Sequence, residues 1–197
     1  KKKKRFEIKK EHKYYDGINE NMTIDQSTHS LFGSSKISAD IYAQEFGKNL
    51  GIKTGTFRLG CITGKNHAGA ELHGFLSYLF KSTKQNLKYT IYGYKGKQVR
   101  DNIHARDLVN CFWFFFLKPK VGEVYNIGGG RQNSCSIIEA INLINKITGK
   151  KLKYTLSKKN RTGDHIWYIT NNSKFKKHFP KWKITYSLKD IIKEMNN

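Results

Sequence analysis

The feature that most constrains this chain is an alternation of helix-length segments and short β-rich runs, with a glycine at nearly every junction: Gly51, Gly60, Gly64, Gly93, Gly96, Gly128 to Gly130 and Gly149. Helix-then-strand order with short connections is α/β grammar. A hydroxyl at Ser34 or Ser35 can cap a helix that runs to Asn49 before Gly51 stops it, with Ile37, Ile41, Phe46 and Leu50 on or near one apolar face. Ile52 to Leu59 reads as a strand, His73 to Ser82 as a helix, and Tyr89 to Tyr92 and Val99 to Ile103 as extended stretches. Ala105 to Leu117 is again helical. Its run Phe112-Trp113-Phe114-Phe115-Phe116 has too little polar surface for a solvated helix and is expected to pack inside a sheet-and-helix core. A strand from Glu123 to Ile127 ends in a tight glycine turn, and a helix from Ser136 to Thr148 is stopped by Gly149. Beyond Leu152 a short strand, a loop at Asn160 to Gly163 and helical pieces near Ser173 and Ser187 are expected. The first thirty residues, through the turn Tyr15-Asp16-Gly17, read as polar loop.

With 197 residues, 38% hydrophobic and 13% aromatic, the chain can bury a substantial core, enough for one domain or one and a fraction. Its formal charge of +22 tempts toward nucleic acid, but only six of the 37 basic residues are arginines. Base-edge and bidentate phosphate recognition favour arginine, and no zinc finger, RNP-type aromatic motif or heptad array is present. Solvated lysine faces on an ordinary enzyme are the better reading, with no specific nucleic-acid partner. Cys61, Cys111 and Cys135 are widely spaced, form no CxxC pair and read as reduced thiols in a cytoplasmic protein without a metal centre. No apolar run reaches the roughly 20 residues that span a bilayer, so no membrane partner is expected.

The chemistry begins at Leu31-Phe32-Gly33-Ser34-Ser35-Lys36, where Phe32 and Lys36 stand four apart on one side of a helix start. This segment resembles the Tyr-x-x-x-Lys site of extended short-chain dehydrogenase/reductases, specifically the NAD-dependent nucleotide-sugar epimerases and dehydratases. Lys36 matches, and Phe32 occupies the usual Tyr position. The resemblance continues in order. Phe57-Arg58 with Gly60 and Gly64 is similar to the strand and loop beside the nicotinamide. Gly93, Gly96, Gln98 to Asp101, His104 and Asp107 resemble the G-x-G-x-Q-x-R-D…H…D signature. Val124 to Gly129 resembles the late sheet strand, and Arg161, Gly163, Asp164, Ser173-Lys174 and Trp182 resemble the R-x-G-D…S-K…W tail. The loop holding Glu71 and His73, with the Arg100 region, is similar to CDP-paratose 2-epimerase-like members.

The resemblance covers about Ser30 to the C-terminus. It implies the C-terminal portion of a Rossmann-type parallel sheet with a smaller α/β substrate-binding lobe: a polar segment at 1–30, sheet core at 31–64 and 105–150, and the lobe at 65–104 and 151–197. It implies NAD as cofactor, held at Lys36, Gly60 and Cys61, and a nucleotide sugar, CDP-linked in the first instance, as substrate, epimerised by transient oxidation and re-reduction. A homodimer through the Lys36 helix is implied as well. The family's G-x-x-G-x-x-G turn and its substrate-facing Ser or Thr do not occur in the chain, and are expected upstream of Lys1.

A diphosphate suits a guanidinium fork better than a mobile ammonium, so Arg100 and Arg161 are the candidate phosphate contacts, with an ion pair from Arg100 to Asp101 or Asp107 as the structural alternative. His104 can donate to substrate or serve as a satisfied structural histidine. Glu71 and His73, two apart and so on opposite sides of an extended chain, are read as part of a substrate-facing loop rather than with His67 as a metal cluster. Phe32 has no proton to give. Tyr14, Tyr15 or His29, a group upstream, or water remain as sources. The second reading is a non-catalytic sugar-nucleotide-binding or scaffold protein that kept the fold.

Overall fold

The computed structural model describes residues 4–24, 26–71, 73–160 and 164–197. The first long element is α1 (Leu31–Leu50), capped by Ser30, whose hydroxyl accepts the Gly33 N–H at 3.1 Å, and closed by Gly51 in the left-handed conformation. The helix thus starts one turn before the expected cap at Ser34 or Ser35. All three serines can cap, and the first is the one whose hydroxyl meets a free amide. The chain returns through β1 (Gly55–Leu59), which pairs in parallel with β5 (Glu123–Ile127), from Gly55 opposite Glu123 to Leu59 opposite Ile127. Gly55 is small because the Phe115 ring of α3 (Ala105–Leu117) lies against it, and a Cβ there would sit 2.6 Å from the ring. Gly60 turns the chain into β2 (Cys61–Thr63).

Two apolar cores result. One gathers Ile103, Leu108, Cys111, Tyr125 and Ile127 with Phe175, Phe179 and Trp182, so that α5 (Ser173–His178) and its sequel cover the β1–β5 pair. The other joins Leu76 and Leu79 of α2 (Phe75–Lys84), Ile141 and Ile144 of α4 (Ile137–Thr148), Ile91 of β3 (Tyr89–Tyr92), Leu152 before β7 (Tyr154–Ser157), and Ile191 and Ile192 of α6 (Leu188–Asn196). Thus α4 packs with α2 and α6, and the 173–182 stretch packs under the β1–β5 pair. Each goes where its apolar stripe finds a matching one, which sequence order does not specify.

Between the cores runs β4 (Val99–His104). Its second half pairs in parallel with β2, and its first half is flanked by antiparallel β6 (Ser134–Ser136) and parallel β8 (Trp167–Tyr168). The glycine turn after β5 therefore leads first into β6, and only then into α4, whose start carries a full capping box between Ser136 and Glu139.

The N-terminal stretch has no helix or strand among its described residues, yet it is built in. Glu7 pairs with Arg131 at 3.1 Å and accepts from Trp167 Nε1 at 3.0 Å, Arg5 reaches Glu139 at 3.4 Å, and Ile18 is buried in a bridge to Thr170.

The run Phe112 to Phe116 is not enclosed as expected. Phe114 and Phe115 turn to the core, whereas Trp113 and Phe116 are 55% and 70% exposed. On α1 the expected apolar face is likewise open at Ile41, Phe46 and Leu50, and the residues it buries are Asp40 and Gly47. The two helices flank opposite faces of β1, Gly55 and Phe57 meeting α3 and Thr54 and Arg58 meeting α1, so each turns one face to the strand.

Candidate functional site

A cavity of about 800 Å³ opens between β2, β4, α2 and the C-terminal helix. Gly60, Cys61, Glu71, His73, Arg100 and His104 all line it. These six expected site residues lie between positions 60 and 104, and the parallel pairing of β2 with β4, Cys61 opposite Asn102 and Thr63 opposite His104, brings the two ends of that span together.

Arg100 is half-buried and its Nη2 donates to Asp164 at 2.6 Å, while Nη1 donates to the Val99 carbonyl at 2.7 Å. Neither Asp101 nor Asp107, the expected alternatives, is its partner. Asp101 is fully buried and accepts the Gly130 and Thr170 N–H groups at 2.8 and 3.1 Å, with burial pushing its carboxyl above the usual range. Asp107 accepts the Thr185 and Tyr186 amides at 3.0 and 3.1 Å and the Thr185 hydroxyl at 2.5 Å. Arg161 lies outside the described residues.

His104 is buried at the start of α3. Its Nδ1 accepts the Arg106 N–H at 3.1 Å, which fixes the tautomer with the proton on Nε2, 2.8 Å from Glu194 on α6, and its ring stacks on Tyr186 at 3.9 Å. Glu71 and His73 are not on an extended chain: Ala70 and His73 exchange two backbone hydrogen bonds of 2.9 and 3.0 Å, and the turn presents both residues to the cavity. Glu71 accepts from the Tyr92 hydroxyl at 3.3 Å. His67, in the same wall, lies 3.2 Å through Nδ1 from the Ser77 hydroxyl and edge-on to His73. Burial pushes the Cys61 thiol up to about 12, so it stays protonated near neutrality. Among the described residues, no three His, Cys, Asp or Glu side chains are grouped to hold a metal.

Phe32 and Lys36 do not line the cavity. Lys36 Nζ stands over the Phe32 ring at 5.3 Å, and Lys36 makes no ion pair among the described residues. Asp40 accepts from Arg58 Nε at 2.7 Å, and Thr54 reaches the Ala43 carbonyl at 3.1 Å, so helix and strand run antiparallel. Lys36 is one helical turn, about 6 Å, before Asp40. Gly60 is two residues, about 6.6 Å, beyond Arg58. Lys36 is therefore level with Gly60, where a Cβ would fall 3.0 Å from Asp101 Oδ1. Tyr14, Tyr15 and His29 also lie outside the cavity: Arg131 stacks on Tyr15 at 3.9 Å, and His29 Nε2 meets the Ile24 carbonyl. Asp164 as the partner of Arg100, His67 with Ser77, and Glu194 emerge only from the folded chain, and the R-x-G-D spacing is the signal that carries the first.

The α/β fold is shared with solved structures. The chain matches the NAD dependent epimerase/dehydratase family over residues 11–128, and it belongs to that family. The fold is that of UDP-glucose 4-epimerase from Thermus thermophilus, solved with NAD: TM-score 0.75 and 17% identity, covering 92% of this chain and 59% of that one. It is equally like UDP-glucuronic acid 4-epimerase from Bacillus cereus, solved with UDP-glucuronic acid and NAD, at TM-score 0.74 and 23% identity over 93% and 57% of the two chains. In sequence it is similar to a CDP-paratose 2-epimerase of Salmonella typhi, 28% identical over 182 residues, which are 87% of this chain. The chain spans 53% of that relative's length.

Proposed function

We propose that this chain carries the sugar-nucleotide-binding part of an NAD-dependent epimerase acting on a nucleotide sugar, CDP-linked in the first instance. The observation that carries the reading is the cavity, which gathers Arg100, Glu71, His73 and His104 beside the Gly60-Cys61 turn. Arg100 contacts the diphosphate. Its guanidinium is held at one nitrogen by Asp164 and at another by the Val99 carbonyl, which aims the remaining N–H groups without the entropy loss of an unfixed side chain. Glu71, oriented by Tyr92, accepts sugar hydroxyls. Arg161 is proposed as the second diphosphate contact.

The residues present fit the nicotinamide–ribose end of NAD. Lys36 offers an ammonium free of any ion pair among the described residues, level with Gly60, where a side chain would crowd Asp101. Lys36 holds the ribose hydroxyls, and Gly60 and Cys61 border the ring. When bound, NAD takes up and returns a hydride, so the sugar centre is oxidised and re-reduced with no net redox change. The hydroxyl proton cannot pass to Phe32. His104 is buried, with Nδ1 taken by the Arg106 N–H and Nε2 2.8 Å from the Glu194 carboxylate, which leaves His67 and His73 as the imidazoles of the wall proposed to take it. The three cysteines are free, in keeping with a cytoplasmic setting, and no helix among the described residues is long and apolar enough to cross a membrane. The open apolar residues of α1, Tyr42 and Phe46 among them, suit a homodimer through that helix.

The second reading, a binder without chemistry, is favoured by Phe32 itself. Incubation of the whole protein that contains this chain with a CDP-sugar and NAD, followed by proton NMR of the sugar, decides between them. Epimer formation at one carbon with NAD unconsumed supports the enzyme. Binding of the sugar nucleotide without any epimer supports the binder. In the whole protein, Phe32→Tyr should preserve or raise turnover, and a loss of more than about tenfold, roughly 1.4 kcal/mol of barrier, would contradict the carry-over of that position.

A further inference from the structure

Asp101 lines neither the cavity nor the two apolar cores, yet its carboxyl is fully buried. Successive side chains of a strand point to opposite faces, so on β4 Arg100 enters the cavity and Asp101 lies behind it. One oxygen, Oδ2, accepts both the Gly130 and the Thr170 N–H. The other, Oδ1, stands 3.0 Å from the place a Gly60 Cβ would occupy, with the Thr170 hydroxyl 3.2 Å from the same point. A Cβ at Gly128 would fall 2.5 Å from Oδ2.

These contacts fall where the strands hand over to one another. Gly60 carries the chain from β1 into β2, and Gly128 to Gly130 lead from β5 toward β6. Thr170 follows β8, and Asn172 holds Gly128 through two hydrogen bonds of 3.0 Å. The carboxyl therefore ties the ends of β1, β5 and β8 to the back of β4, entirely among described residues. A buried carboxyl is costly, and an apolar side chain of similar size would fill the space without that cost. What the carboxyl adds is direction. It fixes two amides and brings the bare Gly60 backbone close, and the turn of Gly60 with Cys61 forms the cavity wall that also holds Arg100.

We propose that Asp101 is a positioning residue for sugar-nucleotide binding: it touches no ligand, and it holds the Gly60–Cys61 turn and the root of Arg100 at the spacing the ligand requires. The proposal rests on the assignment of Arg100, Gly60 and Cys61 to that ligand. Both amides go to one oxygen, and a neutral side-chain amide offers an oxygen with two lone pairs in the same place. Burial already strengthens the hold of the carboxyl on its proton, so the negative charge is not what the site needs. A methyl group can accept neither amide.

Asp101→Ala and Asp101→Asn test this through two separate readouts. In amide hydrogen exchange of the chain without ligand, Asp101→Ala is expected to speed exchange at Gly60, Gly130 and Thr170 by about tenfold or more and to leave Leu79 and Ile144 of the lobe unchanged. Asp101→Asn should stay within about threefold of wild type at all five positions. In calorimetric titration with a CDP-sugar, Asp101→Ala should lose about tenfold or more in affinity and Asp101→Asn should recover it. Circular dichroism checks that each variant is folded. Unchanged exchange at Gly60 in Asp101→Ala overturns the proposal, as does acceleration spread evenly over both cores, which marks a general loss of stability. Wild-type affinity in folded Asp101→Ala overturns it as well, and so does a tenfold loss in folded Asp101→Asn, which keeps the shape. If wild type binds no CDP-sugar, it is the assignment of the ligand that fails, and the exchange pattern still decides whether Asp101 holds the turn.

Discussion

The α2–α4–α6 lobe and the helices α1 and α3 that flank the β1–β5 pair are similarly apolar and differ in what they do with their apolar residues. In the lobe, Leu79, Ile144 and Ile191 are completely buried against one another. By contrast, α1 and α3 cover the β1–β5 pair with one face each and leave Phe32, Phe46, Trp113 and Phe116 in the open. The lobe is finished by contacts within the described residues; α1 and α3 present surface. Apolar content alone therefore says little about enclosure, and the two regions should respond differently to the same substitution.

The largest contrast should come from truncating one apolar side chain in each. Leu79→Ala is expected to cost about 2–5 kcal/mol, through lost burial and the cavity left behind, while Phe116→Ala should stay within about 0.5 kcal/mol. Urea denaturation of the two variants makes the comparison, and equal losses would break it.

Asp107 joins the regions, since it stands on α3 and accepts three hydrogen bonds from Thr185 and Tyr186 ahead of α6. Asp107→Ala strands those donors and should cost about 1–3 kcal/mol. If the regions are coupled there, one cooperative transition of wild type should separate into two in this variant; a single sharp transition would show the joint lies elsewhere.

The smallest effect is expected from pH at the N-terminal segment. Burial works against the Glu7 charge, but the Arg131 hydrogen bond and the Arg131 and Arg5 charges outweigh it and leave its carboxyl below the usual range. A depressed folded-state pKa contributes stability above the ordinary glutamate value of about 4.3, and that contribution is lost as pH falls through the folded value. Glu7→Gln should reduce stability near neutrality and flatten its dependence on pH in that acidic window. An unchanged acid limb would mean the segment does not hold the fold.

How far the sequence foretold this depends on the range of the interactions. Gly51 and Gly149, the Ser136 cap and the β3 and β5 spans were readable because caps and short strands are written in neighbouring residues. β6 and β8 were not, being three and two residues long and existing only because β4 lies between them. The gathering of Gly60, Arg100 and His104 followed from ordered motifs. The pairing of Arg100 with Asp164, 64 positions away, was an unread consequence of the same tail. The exposure of Trp113 escaped because hydrophobicity specifies what a side chain avoids, and only the assembled neighbours decide whether it can.

The proposed role of Arg100 is to make this cavity a diphosphate site. Calorimetric titration of a CDP-sugar into wild type and Arg100→Lys tests it most directly. Binding to wild type without NAD is expected, with a loss of about tenfold or more in the lysine variant, which keeps the charge but forfeits the fork. Equal affinity in both proteins, or no binding to wild type, would contradict it.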